Sequence, residues 1–213
     1  MKIKNLPDIR KEYSQSALDP ASVHPDPIEQ FGKWLEEAID AEIDEPSAMT
    51  LATADAAGRP SARMVLLKGY DKNGFVFFTN YNSRKGREID ANPRAALVLY
   101  WKELERQVRI EGVVSRVSDK ESDAYFNSRP VESRAGAIVS PQSQVIPNRK
   151  AIEQQLDRLL KQELKELVRP AYWGGYRVMP ETIEFWQGRP GRLHDRILFT
   201  RESRGWKIER LAP

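Results

Sequence analysis

Residues 48–80 read AMTLATADAAGRPSARMVLLKGYDKNGFVFFTN, in which three apolar segments alternate with two short polar turns. The turns contain Asp55–Gly58 and Asp71–Gly74, where aspartate and glycine favour a tight reversal of the chain. The segments between the turns carry the branched and aromatic residues typical of strands. They are Ala48–Ala54, Ser61–Tyr70 and Phe75–Asn80. The stretch therefore predicts an antiparallel meander or barrel.

Strand patterns continue on the C-terminal side of this stretch. They cover Arg94–Trp101, Gln107–Val117, Gly174–Met179, Thr182–Gln187, Asp195–Thr200 and Trp206–Arg210. Helices are predicted where a capping residue precedes helical spacing. They begin at Pro27, Ser83, Ser118 and Ala151, and the last three extend to Ala91, about Asn127 and Val168. The fold class is therefore mainly β with peripheral helices (α+β).

The length and composition predict a globular protein with one main domain. The chain has 213 residues, of which 40% are hydrophobic and 31% charged. We expect residues 1–25 to form a flexible N-terminal arm and residues 26–213 a single domain. The longest apolar run, Ala95–Trp101, is far too short to cross a membrane, and no secretory signal opens the chain. A cytoplasmic location without membrane contact follows as the expectation.

Several classes of site are disfavoured by composition alone. The chain has no cysteine, which excludes disulfides and thiolate chemistry, and its two histidines, His24 and His194, are far apart. We therefore expect no metal site. The net charge is +3, from 34 basic and 31 acidic residues. This near balance disfavours a nucleic-acid-binding module, which would need a strongly cationic face.

The start of the helix at Ser83 is a candidate phosphate site. Free backbone N–H groups and the positive end of the helix dipole would lie beside Arg84 and Lys85, with Thr79 just before them. The alternative is a short connecting helix with solvated basic residues, and the motif alone does not exclude it. Arg63 and Lys68 flank another apolar strand, but their odd separation places them on opposite faces. Either the strand bulges or the two side chains reach a ligand from different edges, and plain surface cations at the ends of a strand remain the simpler alternative.

Four further positions carry side chains suited to a ligand. The amide of Gln107 can donate and accept, which suits the edge of a heterocycle, although it could equally cap a strand. Tyr125, Arg129 and Ser133 combine hydroxyl donors with a guanidinium that can bind a phosphate through two N–H groups. The simpler interpretation is a tyrosine packed on a helix and an arginine at its C-terminus.

Residues 192–196, RLHDR, concentrate two arginines and a histidine. If this stretch is extended, strand alternation places Arg192, His194 and Arg196 on one face, which would suit an anionic, planar ligand. Asp195 would then point to the other face, so no His–Asp relay is predicted. A single histidine is more often structural than catalytic, and that alternative stays open.

Taken together, seven motifs resemble the pyridoxine/pyridoxamine 5'-phosphate oxidase family. They are Arg63-Met-Val-Leu-Leu-Lys68, Phe78-Thr79-Asn80, Ser83-Arg84-Lys85, Glu105-Arg106-Gln107, Ser128-Arg129-Pro130 with Ser133, Trp173-Gly174-Gly175, and Glu184-Phe185-Trp186-Gln187-Gly188 through Arg192-Leu193-His194-Asp195-Arg196. The resemblance implies an antiparallel, FMN-binding split β-barrel. It also implies a homodimer that binds FMN at the subunit interface.

The resemblance assigns the site residues to two ligands. Those implied for FMN are Arg63, Met64, Val65, Leu66, Leu67, Lys68, Phe78, Thr79, Ser83, Arg84, Lys85, Gln107, Gln142, Ser143, Trp186 and Arg196. Those implied for the substrate are Arg10, Tyr13, Lys68, Tyr125, Arg129, Ser133, Arg192 and His194. Arg192 and His194 are the implied catalytic pair, and Arg10 and Tyr13 belong to an arm that can close as a lid.

The implied reaction is the oxidation of pyridoxine 5'-phosphate or pyridoxamine 5'-phosphate by O2, with pyridoxal 5'-phosphate and H2O2 as products. In this hypothesis a hydride equivalent moves from C4' of the substrate to the flavin. The alternative is a split-barrel protein that binds flavin or pyridoxal phosphate without turnover. A flavin-binding protein of that kind would have no need of the complete substrate set.

Overall fold

The computed structural model describes residues 12–161 and 167–213, and it divides into two compact units. The terminal unit consists of Met1–Ser47, Val98–Ile110 and Glu181–Pro213. The central unit consists of Ala48–Leu97 and Glu111–Pro180. The expected arm, so far as it is described (residues 12–25), contains no helix or strand. The predicted site residue Arg10 lies outside the described residues.

In the terminal unit, helix α1 (Pro27–Asp40) begins as the sequence predicts. The Asp26 side chain accepts a hydrogen bond from the Ile28 N–H, and proline occupies the first helical position, where no N–H is required. One face of α1 buries Phe31 and Trp34. Strands β8 (Asp195–Glu202) and β9 (Gly205–Leu211) form an antiparallel hairpin in the same unit.

The central unit contains the predicted meander. Its strands are β1 (Ala48–Ala54), β2 (Pro60–Leu66), β3 (Gly69–Asp71) and β4 (Gly74–Asn80). β1 and β2 are antiparallel, as are β3 and β4. The alternating burial of β1 places Met49, Leu51 and Thr53 inside. This pattern is what a strand with one covered face requires.

The described residues of the central unit contain four helices: α2 (Arg84–Ala91), α3 (Asp119–Ser128), α4 (Val131–Val139) and α5 (Arg149–Lys161). Ser83 caps α2 and Ser118 caps α3, as predicted. The last two helices pack on a small core of Phe126, Ala135, Leu167 and Trp173. This packing orders the chain on both sides of the loop at residues 140–148.

Three strands, β5 (Arg94–Trp101), β6 (Arg106–Arg116) and β7 (Trp173–Gln187), contribute residues to both units. Hydrogen-bonded neighbours follow the order β2-β1-β5-β6-β7-β4-β3, and β8 pairs with β7 and β9. The pairs β4–β7 and β7–β8 are antiparallel. No helix within the described residues is long and apolar enough to cross a membrane.

The structure differs from the predicted elements at four places. The single strand predicted over Ser61–Tyr70 is divided into β2 and β3 by a break at residues 67–68. The two strands predicted on either side of Pro180 form one continuous strand, β7, because the fixed φ of proline is compatible with extended chain. Helix α4 was not predicted. The helix predicted over Ala151–Val168 begins two residues earlier, and residues 167 and 168 are not helical. Residues 162–166 lie outside the described chain.

Candidate active site

Lys85 occupies a buried polar cluster in the central unit. The Lys85 Nζ donates to Thr79 Oγ1 at 3.2 Å and to Gln142 Oε1 at 3.1 Å, and the Thr79 hydroxyl donates to the same Gln142 oxygen at 2.9 Å. Burial, and then the positive charge of Arg63, lower the pKa of Lys85 to about 8. Within residues 12–161 and 167–213, no carboxylate forms an ion pair with this ammonium group. The cluster is therefore suited to an anionic ligand.

Glu88 connects the other cations of this region. Its carboxylate accepts hydrogen bonds from Thr53 Oγ1 at 2.5 Å, Ser61 Oγ at 2.6 Å and Arg84 Nε at 2.8 Å, and it forms an ion pair with Arg63 at 3.3 Å. Burial raises the pKa of Glu88, but the four donors outweigh burial and lower it to about 2. The sequence analysis missed this residue, although its i,i+4 spacing from Arg84 was a signal.

We expect Glu88 to stabilise the fold above pH 5 and to lose that contribution in acid. Its pKa falls from 4.5 in the unfolded chain to about 2 in the fold, so the unfolded state binds more protons between these values. The free energy of unfolding should therefore fall by about 3 kcal/mol as the pH drops through this window. Urea unfolding at several pH values measures this, with Glu88→Gln as the control. Equal pH slopes for the two proteins would contradict the prediction.

Three aromatic rings stack in a second cluster of the central unit. The centroids of Phe78 and Tyr125 are 4.0 Å apart, and that of Trp173 lies 5.7 Å from Phe78. The guanidinium carbon of Arg129 lies 4.8 Å from the Trp173 centroid. Arg129 Nη1 and Arg134 Nε are both buried, and neither has a hydrogen-bond partner in the described chain. Burial lowers the pKa of Arg129 and raises that of Tyr125.

A buried guanidinium N–H without an acceptor is costly, and an anion would satisfy it. The structure thus brings together two of the three side chains predicted to bind a substrate phosphate, Tyr125 and Arg129. The third, Ser133, is half-buried in the first turns of α4. The same unit therefore contains two cation clusters, one at Lys85 and one at Arg129.

The motif from Arg63 to Lys68 keeps its alternation in spite of the strand break. Arg63 and Val65 are half-buried and Leu67 is buried, whereas Met64, Leu66 and Lys68 are exposed. The first and last residues of the motif therefore point to opposite faces, as their odd separation predicts. The Arg63 guanidinium turns toward Glu88, so its position is set by the central unit itself.

Tyr13, Trp186 and His194 form an aromatic cluster in the terminal unit. The Tyr13 ring meets Trp186 and His194 edge-on, both at 5.7 Å between centroids, and the centroids of Trp186 and His194 are 4.7 Å apart. The backbone N–H of Arg189 donates to His194 Nδ1 at 3.1 Å. Burial, and then the charge of Arg192, lower the pKa of His194. The neutral imidazole therefore carries its proton on Nε2 and can donate from that atom.

The prediction that Arg192, His194 and Arg196 share one face of a strand is wrong. Strand β8 begins only at Asp195, and Arg192 ends a tight 3₁₀ turn, Pro190–Arg192, with a left-handed φ of 62°. Proline and glycine in this turn interrupt the extended chain, so period-2 alternation does not apply. Asp195 is held by other partners, because its Oδ2 accepts from the Leu18 N–H and its Oδ1 from Arg210.

Arg196 is held by a carboxylate that the sequence analysis gave no role. Its Nε and Nη2 donate to the two oxygens of Glu184 at 2.8 and 3.1 Å, and Arg109 also contacts Glu184 at 3.3 Å. Trp186 and Arg196 face each other in the β7–β8 register. The aligned pairing of these strands could not be read from two separate sequence segments.

The remaining predicted residues lie on elements already described. Gln107 is on β6 in the terminal unit, and Ser143, with a left-handed φ of 69°, follows Gln142 in the loop after α4. Among the described residues no group of three or more histidine, cysteine, aspartate or glutamate side chains could hold a metal ion. The site therefore depends on cations, amides, hydroxyl groups and aromatic rings.

Two family models match the chain. Residues 35–163 match the model described as "Pyridoxamine 5'-phosphate oxidase", and residues 173–213 match "Pyridoxine 5'-phosphate oxidase C-terminal dimerisation region". A pyridoxine/pyridoxamine 5'-phosphate oxidase of Paraburkholderia phymatum is 58% identical over 212 residues, which cover 99% of this chain and all of the relative. One of Burkholderia mallei is 56% identical over 211 residues, which cover 98% of this chain and 99% of the relative.

Solved structures give the same architecture. PhzG from Burkholderia lata, in complex with tetrahydrophenazine-1-carboxylic acid, has a TM-score of 0.89 at 34% identity and covers 94% of this chain and all of its own. A pyridoxamine 5'-phosphate oxidase-related, FMN-binding protein of Nostoc punctiforme has a TM-score of 0.69 at 18% identity, covering 93% and 100%. The predicted fold class, an antiparallel split barrel with peripheral helices, is confirmed.

Proposed function

The chain belongs to the pyridoxine/pyridoxamine 5'-phosphate oxidase family, and on this premise we propose that it is an FMN-dependent oxidase of pyridoxine 5'-phosphate and pyridoxamine 5'-phosphate. The observation that carries the proposal is the pair of cation clusters in the central unit. Lys85 has no carboxylate partner in the described chain, and Arg129 has a buried N–H without an acceptor. A phosphorylated cofactor and a phosphorylated substrate require two such clusters, whereas a flavin-binding protein without turnover requires one.

The Lys85 cluster fits the phosphate of FMN. Its ammonium group, the adjacent Arg84 and the Thr79 hydroxyl offer donors, and Glu88 keeps Arg63 and Arg84 in place. When bound, FMN would supply the acceptor for a hydride equivalent and return its electrons to O2. The residues proposed to hold it are Arg63–Lys68, Phe78, Thr79, Ser83, Arg84, Lys85, Gln107, Gln142, Ser143, Trp186 and Arg196.

The Arg129 cluster fits the phosphate of the substrate. The guanidinium would bind two phosphate oxygens, with the hydroxyl groups of Tyr125 and Ser133 and the exposed Lys68 as further donors. His194 would donate from Nε2 to a substituent of the pyridine ring, because Nδ1 is already occupied by the Arg189 N–H. Arg192 would orient the group on C4', and Tyr13, with Arg10, would cover the ring.

The proposed reaction balances with O2 as the only oxidant. The alcohol substrate loses one hydrogen from C4' and one from its hydroxyl oxygen, so that it becomes the aldehyde while O2 is reduced to H2O2. The amine substrate gives an imine, and its hydrolysis consumes one water and releases ammonia. The proposed contribution of the protein is binding and orientation, with the neutral His194 arranged as a hydrogen-bond donor.

We propose that the protein forms a homodimer and that it acts in the cytoplasm. Residues 173–213, which include all of β7, β8 and β9, match the dimerisation region of the family. A homodimer would allow FMN to bind at the subunit interface, as the family resemblance implies. Gel filtration with light scattering should give twice the 24.5 kDa mass of the chain.

An anaerobic visible spectrum tests the proposed function. We expect a yellow protein whose flavin band bleaches when pyridoxine 5'-phosphate is added and returns when air is admitted, with formation of pyridoxal 5'-phosphate. A band that is indifferent to both vitamers would favour the binding protein without turnover. The match to PhzG makes a tricyclic carboxylic acid the matched control substrate. Bleaching by that acid alone would replace the proposed substrate class.

A further inference from the structure

Glu105 is a buried carboxylate next to the Tyr13 cluster, and no role has been assigned to it so far. It follows the 3₁₀ turn Lys102–Leu104 and is only 2% exposed. Its backbone is left-handed, with φ of 55°, which is unfavourable for a residue with a side chain. A strained backbone and a buried carboxylate together indicate that this side chain has a specific role at its position.

The Glu105 carboxylate binds the backbone that follows Tyr13. Its Oε2 accepts the N–H of Ser14 at 2.8 Å and the N–H of Gln15 at 3.2 Å. Hydrogen bonds from backbone N–H groups to a buried carboxylate are charge-assisted and stronger than neutral ones. Two successive peptide groups are thus fixed immediately after the aromatic residue.

The backbone of Glu105 is held from the other side by strand β7 and the glycine after it. Its carbonyl accepts the N–H of Gly188 at 2.8 Å and the side-chain amide of Gln187 at 3.3 Å. A Cβ at position 188 would lie 2.8 Å from Tyr13 Cγ and 3.1 Å from Glu105 Cβ. Glycine at this position therefore allows Glu105 and Tyr13 to approach the chain closely.

The same segment is anchored again a few residues later. Arg189 donates to the Ser16 carbonyl at 3.0 Å, the Leu18 N–H donates to Asp195 at 3.0 Å, and Arg210 donates to the Leu18 carbonyl at 3.1 Å. Leu18 itself is buried. Residues 14–18 are therefore fixed at both ends, and of these backbone anchors Glu105 is the one that binds next to Tyr13 in the sequence, while the Tyr13 side chain also forms a hydrogen bond with Tyr100.

We propose that Glu105 is a positioning residue that acts through Tyr13. By fixing the two peptide groups after Tyr13, it holds the phenol edge-on against His194 and Trp186, where the substrate ring is proposed to bind. The proposal rests on the proposed function for its effect on catalysis. Its structural part, the attachment of residues 14 and 15 to the carboxylate, does not depend on any substrate.

Hydrogen exchange tests the structural part. In Glu105→Ala the amides of Ser14 and Gln15 should exchange at least about tenfold faster than in the wild type, because each loses its acceptor. Glu105→Gln keeps an acceptor oxygen and should stay within about threefold of the wild type. Unchanged exchange in the alanine variant, or fast exchange in the wild type, would overturn the proposal even if the protein proves not to be an oxidase.

A double-mutant cycle tests the effect on substrate binding. Glu105→Ala and Tyr13→Ala should each raise the KM for pyridoxine 5'-phosphate about tenfold with kcat within about twofold, and the double variant should equal Tyr13→Ala alone. Glu105→Gln should restore the wild-type KM. Fully additive effects would show that Glu105 does not act through Tyr13. A wild type without oxidase activity would overturn the proposed function and leave the exchange result standing.

Discussion

Arg129→Met is expected to lower kcat/KM for pyridoxine 5'-phosphate about 1000-fold while leaving the affinity for FMN within about threefold. The variant removes the guanidinium whose buried Nη1 has no partner in the described chain, and with it the two charge-assisted hydrogen bonds that we propose it makes to the substrate phosphate. Losing such a pair in a partly buried site costs about 4 kcal/mol, which corresponds to about three powers of ten. Steady-state kinetics and a flavin titration measure the two quantities.

Two variants control for this result. Arg129→Lys keeps the charge but not the planar fork, so it should recover only part of the loss. Arg149→Met removes an equally charged but exposed side chain on α5, which pairs with Glu153 within the described chain, and should change neither quantity. If Arg129→Met lost FMN as strongly as substrate, Arg129 would belong to the flavin site and the separation of the two phosphate clusters would be wrong.

We expect the affinity for FMN to fall about tenfold per pH unit above pH 8. The pKa of Lys85 is about 8 because the ammonium group is buried and lies near Arg63. A bound phosphate favours the charged form and raises this pKa, so above pH 8 binding requires the uptake of a proton. Below pH 8 the ammonium is already charged and the affinity should not depend on this group. Fluorescence titration of FMN between pH 7 and pH 9 measures the slope.

The matched control is Lys85→Arg, since a guanidinium stays charged throughout this range. Its affinity for FMN should not depend on pH between 7 and 9, and the same slope in both proteins would show that Lys85 does not titrate on binding. Lys85→Met should bind FMN about 100-fold more weakly at pH 7. It should nevertheless raise the free energy of unfolding of the FMN-free protein by about 1 kcal/mol, because a buried cation without a carboxylate partner is removed.

The strands and most helices follow from local signals. The turns at Asp55–Gly58 and Asp71–Gly74, and the capping side chains of Ser83 and Ser118, act within a few residues, so the sequence predicts where each element begins. Helix α4 was missed for a local reason as well. Its N-cap is Pro130, which has no side chain to accept a hydrogen bond, so the usual start signal is absent.

The candidate site also contains residues that local sequence signals identify and residues that they do not. Thr79 and Lys85 belong to one short stretch, which the sequence marks as a candidate phosphate site, whereas Gln142 came only from the resemblance. Their contacts confirm that these three side chains meet. The face predicted for residues 192–196 was wrong, because alternation in a strand was extended into a turn. The roles of the site residues stay predictions that the variants above can test.

By itself, the sequence determined the fold class, the family and the identity of the side chains that could bind phosphate. Only the tertiary structure decided their charge states and partners. Glu88 of helix α2 is hydrogen-bonded to Thr53 of β1 and Ser61 of β2, Glu105 to the backbone of residues 14 and 15, and the Nδ1 of His194 to a peptide N–H. These properties depend on burial and on hydrogen bonds between distant segments, and both exist only after the strands have paired.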